Sequence, residues 1–108
     1  MRVLSFVVDK QVIMKDPQCD FSNIVPGSEG YLAVKFKFSP EWDNCAKVVG
    51  FYHGRTEFPP QVVDEDNACM IPSEALVNPW FSIQVFGKRK GYQIGTKKIT
   101  IEQNGGRV

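Results

Sequence analysis

Tyr31-Leu32-Ala33-Val34-Lys35-Phe36-Lys37-Phe38 decides the fold. Side chains alternate between the two faces of an extended chain. Leu32, Val34, Phe36 and Phe38 therefore share one side, and Ala33, Lys35 and Lys37 the other. One face is apolar and one is wet, as in an antiparallel sheet covered on one side. Trp80 to Phe86 repeats the pattern, with Phe81, Ile83 and Val85 on one face and Trp80, Ser82, Gln84 and Phe86 on the other.

Outward from these two strands the period of two persists. Val3 to Val8 reads as a first strand; Asp9-Lys10 is polar and turn-like, and Val12, Ile13 and Met14 continue the extended segment. Asp16-Pro17 ends it, and Gln18 to Gly30 reads as loop. Ser39-Pro40-Glu41-Trp42-Asp43 predicts one helical turn with Ser39 as its cap, folding Trp42 back as a lid on the core. Lys47 to His53 is a strand with Val49 and Phe51 inward, and Gly54-Arg55 a tight turn. Thr56 to Val63 returns, but Pro59-Pro60 interrupts its ladder and places it at an edge. Asp64 to Asn67 is a polar turn, and Ala68 to Ile71 a short strand with Cys69 and Ile71 inward. Pro72 to Leu76 makes one more turn, anchored by Leu76. Gly87 to Gly91 is a hairpin, and Tyr92 to Ile101 closes the sheet through Ile94, Ile99 and Ile101. The expected architecture is all-β, an immunoglobulin-like antiparallel sandwich of about seven strands over residues 1–103, with a linker-like tail at 104–108. Leu32, Phe36, Trp42, Phe51, Ile83 and Val85 are its expected interior.

The totals agree with one soluble domain. The chain has 108 residues, 43% hydrophobic and 23% charged, with a formal net charge of +1. That is long enough for a core without staples and too neutral for a nucleic-acid binder. The densest basic run, Lys88-Arg89-Lys90, lies between Gly87 and Gly91, as a solvated turn or as a contact for phosphate or glycan. Three cysteines, Cys19, Cys45 and Cys69, are an odd set without C-x-x-C spacing. They suit a chain made in a reducing cytoplasm, the alternatives being a Cys45–Cys69 bridge or a ligand role. Charges at Arg2, Asp9, Lys10 and Lys15 break the N-terminal apolar stretch, so neither a leader peptide nor a membrane span is expected.

Catalytic patterns are missing where chemistry would need them. The single histidine, His53, has no assignable partner and reads as a surface residue at a strand end. Zinc-type spacing does not occur. Asp64-Glu65-Asp66-Asn67 offers oxygen ligands but lacks the glycine and distal glutamate of a calcium loop. No phosphate-cradling glycine motif precedes a helix, and no carboxylate pair stands out for glycoside hydrolysis. The expectation is a non-enzymatic chain with no metal and no cofactor. Aromatics are the exception: Tyr31, Tyr52, Trp80, Phe86 and Tyr92 phase outward, and exposed rings anchor protein interfaces or stack on sugars.

Read in order, Phe38-Ser-Pro-Glu-Trp-Asp43, a strand ending near Phe51, Asn67-Ala-Cys-Met-Ile-Pro72, Trp80-Phe-Ser-Ile-Gln-Val-Phe-Gly87 and Gly91-Tyr-Gln-Ile-Gly-Thr96 make a distinctive series. It resembles the immunoglobulin-like domain of phage tail and baseplate proteins, of the kind at the N-terminus of the baseplate upper protein of Gram-positive siphophages. The match runs from about Tyr31 to Ile101. Where the family often has tryptophan after the isoleucine–proline pair, this chain has Ser73.

The resemblance implies a virion structural module of tail, baseplate or fibre, made in the host cytoplasm and assembled by protein–protein contact. It brings no catalytic residues. The implied partners are other virion proteins and further copies of the chain in a homo-oligomer, with a cell-surface glycan as an added ligand and neither nucleic acid nor membrane. Tyr52, Trp80, Phe86, Tyr92, Lys88, Arg89 and Lys90 form the expected interaction surface. Thr56–Val63 and Val3–Val8 are edges that could augment a partner sheet. The alternative is a small carbohydrate-binding module that stacks sugars on Trp80, Tyr52 or Tyr92.

Overall fold

The computed structural model describes residues 1–104 and is a sandwich of two β-sheets. Ten strands alternate with turns: β1 (Arg2–Asp9), β2 (Val12–Lys15), β3 (Leu32–Phe38), β4 (Ala46–His53), β5 (Thr56–Glu57), β6 (Gln61–Val62), β7 (Ala68–Met70), β8 (Trp80–Arg89), β9 (Tyr92–Gly95) and β10 (Ile99–Glu102). Single 3-10 turns cover Pro40–Trp42 and Ala75–Val77. The first sheet has the order β2-β1-β3-β7. The second has β4 and β8 at its centre, β5 and β6 on the far side of β4, and β9 and β10 on the far side of β8. The strand count exceeds seven because two lanes are interrupted and the segment after β1 folds back as a strand of its own, β2. Pro59-Pro60 separates β5 from β6, and Thr96 to Lys98 separates β9 from β10. Residues 105–108, most of the expected tail, lie outside the described residues.

The alternating runs bury the faces expected of them. Leu32, Val34 and Phe36 of the first sheet meet Val49, Phe51, Phe81, Ile83 and Val85 of the second, all within 2% of complete burial. Each such side chain contributes roughly 1.5–3 kcal/mol of hydrophobic stabilisation. Phe36 links Phe6 to Phe38 through ring contacts at 5.8 and 5.5 Å between centroids.

Trp42 closes one end of this interior. It is fully buried, its ring lies 5.2 Å from that of Phe38, and its Nε1 donates to the Lys10 carbonyl at 2.8 Å. The plug is pinned from the other sheet as well. Tyr92 donates its hydroxyl proton to the Glu41 carbonyl at 2.7 Å, and Arg89 donates to the Asp43 carbonyl at 2.6 Å. Gly87 lies flat beneath the indole, where any Cβ would collide with it.

Four details depart from the sequence expectations. Val12 to Met14 does not continue the first strand but folds back on it, with Phe6 opposite Lys15 and Asp9 opposite Val12. Lys10 takes the left-handed turn position at φ 56°. The two main strands of the first sheet, β1 and β3, run parallel, with Phe6 beside Phe36, so Val3–Val8 is paired on both sides and is not the edge expected of it. That pairing needs a long return, which the loop after Asp16 supplies. Ser39 stands at the cap position, yet its hydroxyl makes no cap bond. It accepts the Lys10 amide at 2.9 Å and so ties the plug to the first hairpin. Finally, β8 runs on through Lys88 and Arg89, so the last hairpin turns only at Lys90-Gly91.

Candidate interaction surface

The residues facing out from the second sheet follow from its register. Cross-strand partners share a face. Val48 is paired with both Val62 and Phe86, and Phe86 with Gly95. With Val49 and Val85 buried beneath, Val48, Val62, Phe86 and Gly95 form one row on the outside. Val62 is 75% exposed and Phe86 39%. Gly95 leaves one flank of the Phe86 ring without a neighbouring side chain, since a Cβ there would lie 3.3 Å from the ring. Below this row, Ala46 pairs with Lys88 and Lys88 with Gln93. A shallow depression of about 470 Å³ opens between the two rows, lined by Ala46, Val48, Phe86, Gly87, Lys88 and Gln93.

Above the apolar row the face turns polar and internally bonded. Gln84 donates to the Thr96 carbonyl at 2.8 Å, and Ser82 and Thr100 share a hydroxyl hydrogen bond at 3.1 Å. Tyr52 lies across Gly50, where a Cβ would meet its hydroxyl end. The Lys98 ammonium sits 4.1 Å from the Tyr52 ring centroid. Burial, and then the charge of Glu57, push the Tyr52 hydroxyl above its ordinary pKa. This phenol therefore stays neutral across physiological pH.

The expected site residues fall in four places. Phe86 and Lys88 lie together on the outer face, with Tyr52 further along it. Arg89 and Tyr92 turn toward the Trp42 plug: the Arg89 guanidinium stacks 3.9 Å from the Tyr92 centroid while both hold backbone carbonyls. Both are tied to the plug, Arg89 from an exposed position and Tyr92 from a half-buried one. Lys90 projects from the β8–β9 turn. Trp80 is at the opposite end and half-buried. His53 packs against it, the rings tilted by 45° with centroids 4.3 Å apart. Its Nδ1 lies 3.0 Å from the Trp80 carbonyl, an atom that only accepts, so the ring proton belongs on Nδ1. The histidine read as a surface residue is thus a packing partner.

Val48 and Val62 escaped the sequence reading. Val48 was recoverable, since Val49 and Phe51 inward force Val48 outward. Val62 was not, because Pro59-Pro60 breaks the phase that would have placed it.

A second depression, about 360 Å³, lies at the corner of the same sheet beside Cys45, Lys47, Val63, Asp64 and Glu65. Asp64 itself is engaged in its turn, accepting from the amides of Asp66 and Ala68 at 2.8 and 3.0 Å. All three cysteines are free thiols. Burial, and then Asp64, push the Cys69 thiol up to about 12. Among the described residues, no group of three or more His, Cys, Asp or Glu side chains is placed to hold a metal ion, and no helix is long and apolar enough to cross a membrane. No protein-family model, no curated protein and no solved structure matches this chain.

Proposed function

We propose that this chain is a non-catalytic structural module of a phage virion, in a tail, baseplate or fibre, working through protein–protein contacts in the assembly that adsorbs to the host. The observation that carries the contact reading is the Val48–Val62–Phe86 row, an apolar strip on the outside of the second sheet. Apolar side chains clustered on the face of a folded domain, rimmed by charge, mark a surface that a partner covers. The virion reading rests on the sequence resemblance, whose plug residues Ser39 to Asp43 and strand exit at Ile71-Pro72 have clear structural work in this sandwich.

The sugar-binding alternative is less well supported. Sugar stacking needs an open ring face. The Tyr52 ring carries Lys98, the Tyr92 ring carries Arg89, and Trp80 carries His53. Phe86, on the outer face itself, lacks the hydroxyl or indole N–H that assists sugar contacts.

The test is composition of purified virions. Mass spectrometry is expected to find the chain in stoichiometric amount, and labelled antibody to decorate one part of the particle. Its absence from virions refutes the assignment. A glycan array with Trp80→Ala as control decides the alternative: a sugar affinity lost in that variant would favour the binding module.

A further inference from the structure

The outer face of the second sheet carries its charges in a segregated pattern. Glu57 of β5 and Glu65 and Asp66 of the turn after β6 lie on one flank, beyond β4. Lys88 and Lys90 at the β8–β9 hairpin and Lys98 before β10 lie on the other flank, beyond or on β8. The register fixes their heights along the strands. Ala46 is level with Lys88, and Val63 bonds to Lys47, so the acidic turn and the basic hairpin tip are at the same end. Glu57 is level with Tyr52, which is level with Ser82 and Thr100, close to Lys98. At the far end the order reverses, with Arg55 on the β5 flank and Glu102 on the β10 flank.

We infer that this face pairs with a second copy of itself about a two-fold axis lying in the interface, parallel to the strands and between β4 and β8. The inference rests on the contact reading above and names the partner. Such an axis exchanges the two flanks while keeping height unchanged. Val48 then meets Phe86 of the second copy, and Phe86 its Val48. Val62 meets the flat stretch at Gly95. Glu65 and Asp66 face the copy's Lys88 and Lys90, Glu57 faces its Lys98, and Arg55 faces its Glu102. Each contact occurs twice, as an isologous interface requires. The sheets pack in the aligned manner of a sandwich, apolar row on apolar row.

The size of the face sets the strength. Four lanes about 4.8 Å apart and seven residues at about 3.4 Å each span roughly 19 by 24 Å. Two such faces cover roughly 900 Å² in projection, at the low end for a specific interface. The pair is therefore weak in free solution and gains strength when neighbours hold copies close together.

Sedimentation equilibrium of the whole chain tests this with charge reversal. One variant carries Glu65→Lys and Asp66→Lys, the other Lys88→Glu and Lys90→Glu; all four side chains are exposed. The wild type is expected to dimerise in the micromolar to sub-millimolar range. Each variant alone weakens at least tenfold, because like charges face each other at both sites. An equimolar mixture restores dimers, because the two-fold sets every reversed group against its opposite. Phe86→Gln added to both variants abolishes the restored pairing, which separates a docked interface from general attraction between oppositely charged proteins. A wild type that stays monomeric to about 1 mM overturns the inference, as does a mixture that fails to recover. Virion content distinguishes this from the contact reading. A monomeric chain that enters virions through Phe86 overturns the self-pairing alone, and a dimer absent from virions overturns the virion assignment alone.

Discussion

Replacing Gly87 by Ala strikes the point where the second sheet's backbone touches the Trp42 plug. The new Cβ would lie 2.8 Å from both Cε3 and Cζ3 of Trp42 and 3.2 Å from the Ile94 Cγ2. Carbon atoms rest about 3.5–4.0 Å apart, so the ring has to withdraw by roughly an ångström. It has little freedom to do so. The indole is fully buried, is hydrogen-bonded through Nε1 to Lys10, and rests on Phe38. Overpacking of this kind costs about 1–3 kcal/mol. With an unfolding entropy of about 2.1 cal/mol/K per residue, each kcal/mol lowers the Tm of a chain this size by about 4 °C. Gly87→Ala is therefore expected to melt about 4–13 °C below wild type by calorimetry, with a matching loss in urea titration. A double-mutant cycle identifies the cause. Trp42→Phe is destabilising alone, because it loses the Lys10 bond and leaves a void, but it makes room for the added methyl. The pair is expected to fall short of additivity by more than about 0.5 kcal/mol. A Gly87→Ala protein within about 0.5 kcal/mol of wild type, or full additivity with Trp42→Phe, would refute the plug as described.

Tyr92→Phe removes the hydroxyl that holds the Glu41 carbonyl; a loss of about 1 kcal/mol in urea unfolding is expected, with virion incorporation and self-association unchanged, and an association defect would place Tyr92 in the contact surface instead. Asp16 is buried, and its carboxylate is held below the ordinary range first by the Gln18 amide and then by Lys37 at 3.2 Å. A carboxylate with a depressed folded pKa adds stability above its unfolded pKa and loses it as pH falls through the folded value. Asp16→Asn should thus be less stable than wild type at neutral pH, with the difference shrinking below about pH 4; a gap that persists unchanged in acid contradicts the ionic origin. The raised Cys69 thiol carries almost no thiolate near neutrality. Brief alkylation of native protein followed by peptide mass mapping should leave Cys69 unlabelled, with all three thiols labelled in urea; prompt labelling of native Cys69 contradicts its burial.

Periodicity revealed the interior because a period of two survives in the residues themselves. Leu32, Val34 and Phe36, like Phe81, Ile83 and Val85, announce an inner face in any context that buries one side of a strand. The Trp42 lid was legible for a related reason: Ser39-Pro40 forces a turn, and the turn places the indole. What the sequence did not disclose was non-local or carried by unusual residues. The β1–β2 hairpin turns at Lys10, a residue with no special tolerance for positive φ, so no glycine or asparagine marks it. The parallel β1–β3 pair depends on hydrogen bonds between segments about 30 residues apart, which alternation alone does not specify. The interaction surface was partly legible. Phe86 and Lys88 follow from the phase of β8, but strand parity says nothing about Arg89 and Tyr92 reaching past the sheet's end to the Glu41 and Asp43 carbonyls. Nor does parity show that Lys98 and His53 occupy the rings of Tyr52 and Trp80.

The self-pairing of the second sheet's outer face is tested most directly by methyl NMR of valine-labelled protein titrated in concentration. Val48 and Val62 are expected to shift and broaden as concentration rises and to lose accessibility to a soluble paramagnet, while Val12 and Val25, exposed on other surfaces, stay unchanged. Val48 and Val62 signals that remain constant and open to the paramagnet at every concentration, with Val12 or Val25 responding instead, would contradict it.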